Sequence, residues 1–577
     1  LGSLIFFSTA GCVQSRGFSS QSPHPSTLAH YDLSVCLGPL CMDRQPLLPQ
    51  HREELFSGAA SYGTAPLQPL RRRAGRRGRA ASVTALIVVV ACLGAAAVAL
   101  GVSMRRDATD MEDITEDNPR GEPPHLILIV ADDLGYADVG FSSIPSPDAR
   151  VTPVLDKLAR EGVVLDNMYA HWMCTPSRSS LLTGRLSHEV GTQHGVIRNG
   201  EPRGLGLQFE TMPEMLGREH GYVSHAVGKW HLGQHEYAYL PTRRGFESFL
   251  GYWGGGLNSY FYHESSYVYD QDDPAAPVGL GLDFHFDEQD ESAPHGMQTR
   301  QLHELEGNYS THVFTRRAED VIFQHDLSAG PLLLYLAYQA PHAPTEAPSE
   351  YYTALNASAS DPGRRDYLAS LSAMDEGVDR VIRALKEKGM YDSTLLWFTS
   401  DNGPEPELPP LDDQPVMCKY NSGSAYPLRG AKMSLFEGGT KVSSFISGGA
   451  VPAAARGTRN AALAHISDVV PTLFGAVRDV VGGEDEANVP PQVTGVNQWE
   501  TFTMGAFPAR DVLVYLIDEH DGTPSGMCLE GSPYGNAAAV RAGDMKLLHG
   551  AGGPPGWYPV NFAQQLNQSG SGFLCSA

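Results

Sequence analysis

Cysteine is scarce where it would matter most. The chain of 577 residues has eight cysteines, and only Cys174, Cys418, Cys528 and Cys575 lie beyond its long apolar stretch. A dense disulfide framework is excluded, so a hydrophobic core must carry the stability. A Cys418–Cys528 pair is the one bridge the reading proposes. Positive charge is also short: 42 Lys+Arg stand against 66 Asp+Glu, for a net charge of −24. That balance excludes nucleic acid as the main partner, because a phosphate backbone needs a positive surface. No methionine stands at position 1, and Met42 is the first, so residues 1–41 read as an upstream segment without a structural role. No internal repeat is present. What remains is ordinary for a globular protein, with 42% apolar and 19% charged residues.

The positive charge that exists is concentrated before residue 80. Arg71, Arg72, Arg73, Arg76, Arg77 and Arg79 precede an uncharged stretch, Ala80 to Met104, whose centre is Val83 to Val102. That length spans a bilayer as one helix. The arginines then face the cytoplasm and the rest of the chain the lumen. The expected order is a cytosolic tail (1–79), a transmembrane signal anchor (80–104) and a polar stem (105–121). A cleaved signal peptide stays open as the alternative, because Ala97-Val98-Ala99 fits a small-residue cleavage site. Asp43-Arg44-Gln45-Pro46-Leu47-Leu48 resembles an endosomal–lysosomal sorting signal. Sequons at Asn308, Asn356 and Asn567 agree with luminal exposure.

From His125 the pattern alternates strands and helices. Leu126–Val130 is a continuous apolar run, as in a strand buried on both faces. A helix is expected after Thr152-Pro153, with Val154, Leu155, Leu158 and Val163 on one face. Strands are expected at 222–227, 332–338 and 394–398, and the apolar spacing predicts a helix over 367–388. The alternation implies an α/β domain, residues 122–480, with a mostly parallel or mixed central sheet and helices on both faces. Residues 481–577 read as a small α+β subdomain, possessing a strand pair near 537–548 and an incomplete end. Gly403 to Asp413 reads as an acidic, proline-rich loop.

Charged groups follow the buried strands. Asp132 and Asp133 follow the first, Lys229 and His231 the second, His342 the third, Asp401 and Asn402 the fourth. Ligands bind at the carboxyl ends of strands in open α/β sheets. One Asp pair alone reads as turn or helix capping. Two such pairs make an all-oxygen set suited to Ca²⁺ or Mg²⁺. Pro176 suits the first turn of a helix, which places Cys174 at a positive helix N-terminus.

Cys174-Thr175-Pro176-Ser177-Arg178 followed by Leu182-Thr183-Gly184-Arg185 is similar to the sulfatase signature. The resemblance continues in Ala131–Tyr136, Gly228-Lys229-Trp230-His231-Leu232-Gly233, Leu240–Phe246, Ser400-Asp401-Asn402-Gly403 and Pro427–Lys432. It runs from about His125 to Tyr558 and looks like the arylsulfatase B-like branch. The resemblance implies the alkaline phosphatase-like fold and hydrolysis of aryl or glycosaminoglycan sulfate esters, with N-acetylgalactosamine 4-sulfate units as one candidate. It implies that a formylglycine-generating enzyme oxidises Cys174 to formylglycine, whose hydrate is the nucleophile. It implies Ca²⁺ on Asp132, Asp133, Asp401 and Asn402, beside residue 174. Arg178, Lys229, His231, His342 and Lys432 resemble the residues that activate the hydrate and bind sulfate. The loop between Asn402 and Lys432 departs from that branch in being longer and more acidic. Two rival readings use the same residues: a phosphonate or phosphodiester hydrolase, and an inactive membrane-anchored binding protein.

Overall fold

The computed structural model describes residues 121–142, 151–268, 278–353, 355, 362–405, 422–482, 490–518 and 537–550. The tail, the anchor at 80–104, nearly all of the stem, the sequons at Asn356 and Asn567, and the Cys418–Cys528 pair lie outside them. Among the described residues no helix is long and apolar enough to cross a membrane.

Ten strands form one mixed sheet. In chain order they are β1 (His125–Ala131), β2 (Val163–Leu165), β3 (Val223–Lys229), β4 (Ser248–Tyr252), β5 (His285–Gln289), β6 (Met297–Gln301), β7 (Leu332–Ala337), β8 (Thr394–Ser400), β9 (Phe445–Ser447) and β10 (Thr458–Asn460). Their spatial order is β10-β2-β9-β8-β1-β7-β3-β4-β5-β6. The five central strands, β8 to β4, run parallel. The antiparallel pairs lie on either side, where β9 joins β8 and β5 joins β4. Parallel order at the centre brings the carboxyl ends of β8, β1, β7 and β3 to one edge, and the site is built there.

Helices cover both faces. They are α1 (Pro153–Glu161), α2 (Cys174–Thr183), α3 (Met212–His220), α4 (Ser310–Gln324), α5 (Pro362–Glu387) and α6 (Val469–Val481). Alternation along β1 explains the layering. Ile127 and Ile129 pack with Leu155, Phe314, Leu371 and Val378 of α1, α4 and α5. Leu126, Leu128 and Val130 pack with Leu181, Leu216 and Leu473 of α2, α3 and α6. Every residue of β1 is buried, which is why the run reads as continuous rather than alternating. A separate antiparallel sheet, β11 (Val512–Asp518), β12 (Ala537–Ala542) and β13 (Met545–His549), follows. Its Leu513, Tyr515 and Leu516 bury against Tyr169, Trp172 and Leu435.

The sequence places several boundaries differently. Val163 belongs to β2 rather than to the helix face, because Gly162 ends α1 where a Cβ would meet the Ile446 carbonyl oxygen at 2.0 Å. The strand expected at 222–227 starts at Val223 and runs on to Lys229, so Lys229 is its last residue rather than a loop residue. Gly228 makes that ending possible: its φ is +103°, and a Cβ there would meet the Ala337 carbonyl oxygen at 1.8 Å. The strand expected at 394–398 extends to Ser400, and the long helix starts five residues earlier, at Pro362.

The N-terminus of α1 is capped from a distance. Asp375 of α5 accepts the N–H of Leu155 at 2.8 Å and of Val154 at 3.0 Å. Burial pushes its carboxyl up to about 7. A carboxyl raised in the fold binds more protons there than in the unfolded chain, so stability falls as pH rises from about 4 through 7. Asp375→Asn keeps an acceptor and removes this titration. Urea unfolding of the described domain at pH 4.5 and 7.5 should show wild type losing about 3 kcal/mol more than the variant. Equal losses in both proteins would refute the assignment.

Candidate active site

Four strand ends, one helix N-terminus and the turn carrying Lys432 supply the side chains. Asp132 and Asp133 follow β1, and Asp401 and Asn402 follow β8. All four are fully buried. Neighbouring registers bring them together: Ala131 pairs with Ser400 across β1 and β8. The Asp133 N–H donates to Asp401 Oδ1 at 3.3 Å, and Asn402 Nδ2 donates to Asp133 Oδ1 at 2.6 Å. Asp133 and His231 both adopt φ of 61°. That left-handed backbone is uncommon for residues with a Cβ and concentrates where geometry is dictated by a site.

Three buried cations answer three buried carboxylates. Lys229 Nζ donates to Asp132 Oδ2 at 2.6 Å, and Lys432 Nζ donates to Asp133 Oδ2 at 2.7 Å. Arg178 on α2 sets Nε 3.0 Å and Nη2 2.8 Å from Asp401 Oδ2, with Nη2 3.7 Å from Asp132. Its Nη1 donates to the Lys229 carbonyl and to the Tyr335 hydroxyl. Burial pushes the Asp132 carboxyl up, but Lys229, His342 and Arg178 together hold it below the ordinary value. Burial opposes the charge of Lys432 too, but Asp133 together with Cys174, Glu405 and Asp132 outweighs it, so the ammonium is held well above its ordinary value. Each of these three carboxylates thus has a cation beside it, a charge balance that lets so buried a site hold them.

Cys174 opens α2. The preceding Met173 is extended and provides no side-chain cap, so the first-turn N–H groups face the site as an anion-favouring end. Its S–H lies 3.7 Å from Asp132 Oδ1. Burial pushes the Cys174 thiol above the ordinary thiol range, despite Lys229 and Lys432. An unmodified thiol here is not a thiolate at neutral pH, and the thiolate is the form that attacks.

The two histidines carry readable tautomers. His231 Nε2 lies 2.9 Å from the Ile197 carbonyl oxygen, which only accepts, so Nε2 bears the proton. Its Nδ1 is buried without a partner. Burial, with Lys229 and Arg178, holds the ring well below its ordinary value, so it stays neutral. His342 Nδ1 lies 2.6 Å from the Ala343 carbonyl oxygen, which leaves Nε2 to accept from Lys432 Nζ at 3.2 Å. His342 Nε2 is also 3.6 Å from Asp133.

The fold thus brings together every residue that the sequence singles out: Asp132, Asp133, Cys174, Arg178, Lys229, His231, His342, Asp401, Asn402 and Lys432. The donor set fits a hard divalent cation. Three carboxylates and one amide converge, and the buried Asn402 Oδ1 has no partner, an orphaned acceptor that such an ion would satisfy. Asp132, Asp133, Cys174 and His342 also present ligand atoms within 4.8 Å of one another. The amide orientation that faces Nδ2 to Asp133 is the one that an added cation would reverse.

Four further residues shape the site and escape the sequence reading. Thr175 Oγ1 donates to the His231 carbonyl and accepts the Ile197 N–H, fastening α2 to the His231 turn. Tyr335 was visible as the one polar handle in Leu332–Ala337. Asn199 Oδ1 accepts the Gly255 N–H from a distant loop, with no local signal. Glu405 was counted only as part of an acidic loop.

Buried carboxylates and cations thus gather at the carboxyl edge of this sheet, beside a helix N-terminus, on the alkaline phosphatase-like sulfatase fold. The chain belongs to the sulfatase family, whose model matches residues 124–480. It is 35% identical to arylsulfatase J of Mus musculus over 440 residues, covering 76% of this chain and 66% of that protein. It is 32% identical to arylsulfatase A of Homo sapiens over 337 residues, covering 55% and 58%. It thus spans less than two thirds of the length of these curated relatives. Among solved structures, Ps i-CgsB in complex with k-i-k-neocarrahexaose superposes with a TM-score of 0.54 at 26% identity, over 74% of this chain and 84% of that one.

Proposed function

We propose that this chain is a sulfuric ester hydrolase, acting on aryl sulfates or sulfated carbohydrates through a formylglycine at position 174 and a Ca²⁺ ion. The observation that carries the reading is Cys174 at a positive helix end, buried against Asp132 and ringed by Arg178, Lys229 and Lys432. Its suppressed thiolate argues against direct thiol attack and favours a modified residue. Kinship with sulfatases, together with likeness to Ps i-CgsB, solved in complex with k-i-k-neocarrahexaose, supports a carbohydrate sulfate. The motifs favour the arylsulfatase B-like branch, with N-acetylgalactosamine 4-sulfate units as the first substrate to try.

Asp132, Asp133, Asp401 and Asn402 would hold the ion. When bound, Ca²⁺ supplies Lewis-acid charge for the sulfate oxygens, and the aldehyde hydrate supplies the attacking oxygen. Arg178, Lys229 and Lys432 bind the sulfate and stabilise charge as it builds on the oxygens. Asp401 assists in taking the attacking hydroxyl's proton. Lys432, or His342 once Lys432 has passed a proton to its Nε2, delivers a proton to the departing alcohol. His231 accepts one at its free Nδ1 as sulfate is expelled. A formylglycine-generating enzyme is the required partner. Our reading places the enzyme in the secretory pathway, luminal or extracellular, bound for lysosome, endosome or cell surface, anchored through residues 80–104, with domains at 122–480 and 481–577.

Removing the ion tests this. EGTA-treated protein, shown metal-free by elemental analysis, should lose at least about 100-fold in aryl sulfate turnover. It should also unfold more easily, by about 2.7 kcal/mol relative to Ca²⁺ at 100 times its dissociation constant. Ca²⁺ should restore both. Full turnover by metal-free protein would refute the assignment.

A further inference from the structure

Among the described residues, Glu405 interacts with the site yet has no task in the proposed chemistry. Glu405 stands three residues beyond Asn402, on the stretch where the chain departs from the branch it resembles. The Lys432 N–H donates to the Pro404 carbonyl oxygen at 2.8 Å, so the backbone just before Glu405 is tied to the Lys432 segment. The Glu405 carboxylate interacts electrostatically with Lys432, Asp133, His342 and Asp132. Those are the groups around the proton delivered to the leaving alcohol. Yet Glu405 Oε2 is sealed from solvent and has no hydrogen-bond partner. A buried, unpaired carboxylate oxygen costs free energy unless something donates to it.

A wall without side chains lies against both histidines. The wall near both histidines is Gly254-Gly255-Gly256. A Cβ on Gly255 would come within 2.6 Å of His231 Nε2, and one on Gly256 within 3.3 Å of His342 Cε1. This wall is held in place, not loose. Asp283 accepts the N–H groups of Trp253 and Gly254, Asn199 accepts that of Gly255, and Ser265 donates to the Gly256 carbonyl. Beside His342, then, stands a fixed wall without side chains, and Glu405, which interacts with the same histidine, carries an oxygen that lacks a donor.

We propose that Glu405 is a specificity-determining residue: its free oxygen accepts a hydrogen bond from a hydroxyl or amide N–H adjacent to the sulfate on a carbohydrate leaving group. This rests on the sulfatase reading and narrows its substrate class. A sugar sulfate with a neighbouring donor is selected over one without. A second sulfate at the neighbouring position is not selected, because a sulfate ester there offers no hydrogen to that oxygen.

A double cycle tests this on the full chain carrying its modified residue and Ca²⁺. The substrates are galactose 4-sulfate, its 3-deoxy analogue and a chromogenic aryl sulfate, each measured with wild type, Glu405→Gln and Glu405→Ala. Wild type should prefer the hydroxyl-bearing sugar over the deoxy analogue by about 10–100-fold in kcat/KM. Glu405→Ala should erase that preference, and Glu405→Gln, which keeps a neutral acceptor, should retain part of it. A preference of the same size in wild type and Glu405→Ala overturns the proposal, and so does an equal fall on all three substrates, which would make Glu405 only an electrostatic neighbour of Lys432. Failure of wild type on every sulfate, aryl sulfate included, is a separate result, because it defeats the sulfatase reading itself.

Discussion

Cys174→Ala should lower sulfate-ester turnover by about 10⁴-fold or more while leaving the protein folded. The two halves of that expectation have different causes. The side chain is small, and the only polar contact described for its sulfur is the 3.7 Å approach to Asp132. Losing it removes little packing, so the unfolding midpoint should move by a few degrees at most. The charges around it, Arg178, Lys229, Lys432 and the three aspartates, pair with one another rather than with sulfur. Alanine therefore leaves the anion site standing and removes only the nucleophile. A melting curve and an aryl sulfate assay on the same preparation check this. Mass measurement of the peptide holding residue 174 shows whether wild type is converted. Turnover by Cys174→Ala within tenfold of converted wild type would contradict the role of this residue.

Arg178→Ala should cost about 3–5 kcal/mol of stability as well as nearly all activity. Arg178 is fully buried and contacts two carboxylates, one carbonyl and one hydroxyl. Deleting it leaves the buried Asp401 without its guanidinium partner, and leaves Asp132 to Lys229. Truncating one member of a buried ion pair costs more than the pair contributes net, because the partner stays charged and desolvated. Arg178→Lys should recover part of the stability but not the activity, because one ammonium cannot reproduce the planar fork that holds Asp401 from Nε and Nη2. Denaturant unfolding of the three proteins in Ca²⁺ measures this. A loss under 1 kcal/mol for Arg178→Ala would contradict the charge balance described above.

Much of this site was legible in the sequence because strand ends announce themselves. Leu126–Val130, Leu332–Ala337 and Thr394–Ser400 are apolar runs that stop at a charge or a polar pair, and a parallel sheet delivers all such stops to one edge. The Cys174 helix was legible through Pro176 and the residues that resemble a known signature. Boundaries were less so. Val163 fits a helical face by spacing alone, and only the close approach of Gly162 to Ile446 decides otherwise. Asn199 and Asp283 were invisible because their work is to hold backbone N–H groups distant in sequence. The tautomers of His231 and His342 depend on carbonyls that no local pattern predicts. Glu405 sat within a loop whose acidity masked a carboxylate that interacts with the site.

The central claim is sulfate-ester hydrolysis, and one comparison tests it most directly. Protein made in cells that install formylglycine is given a chromogenic aryl sulfate and the matching aryl phosphate in Ca²⁺, beside Cys174→Ala. The account predicts turnover of the sulfate, slow or absent turnover of the phosphate, and loss of both in the variant. Faster phosphate than sulfate hydrolysis, or no sulfate turnover by folded and converted protein on aryl and sugar sulfates alike, would contradict it.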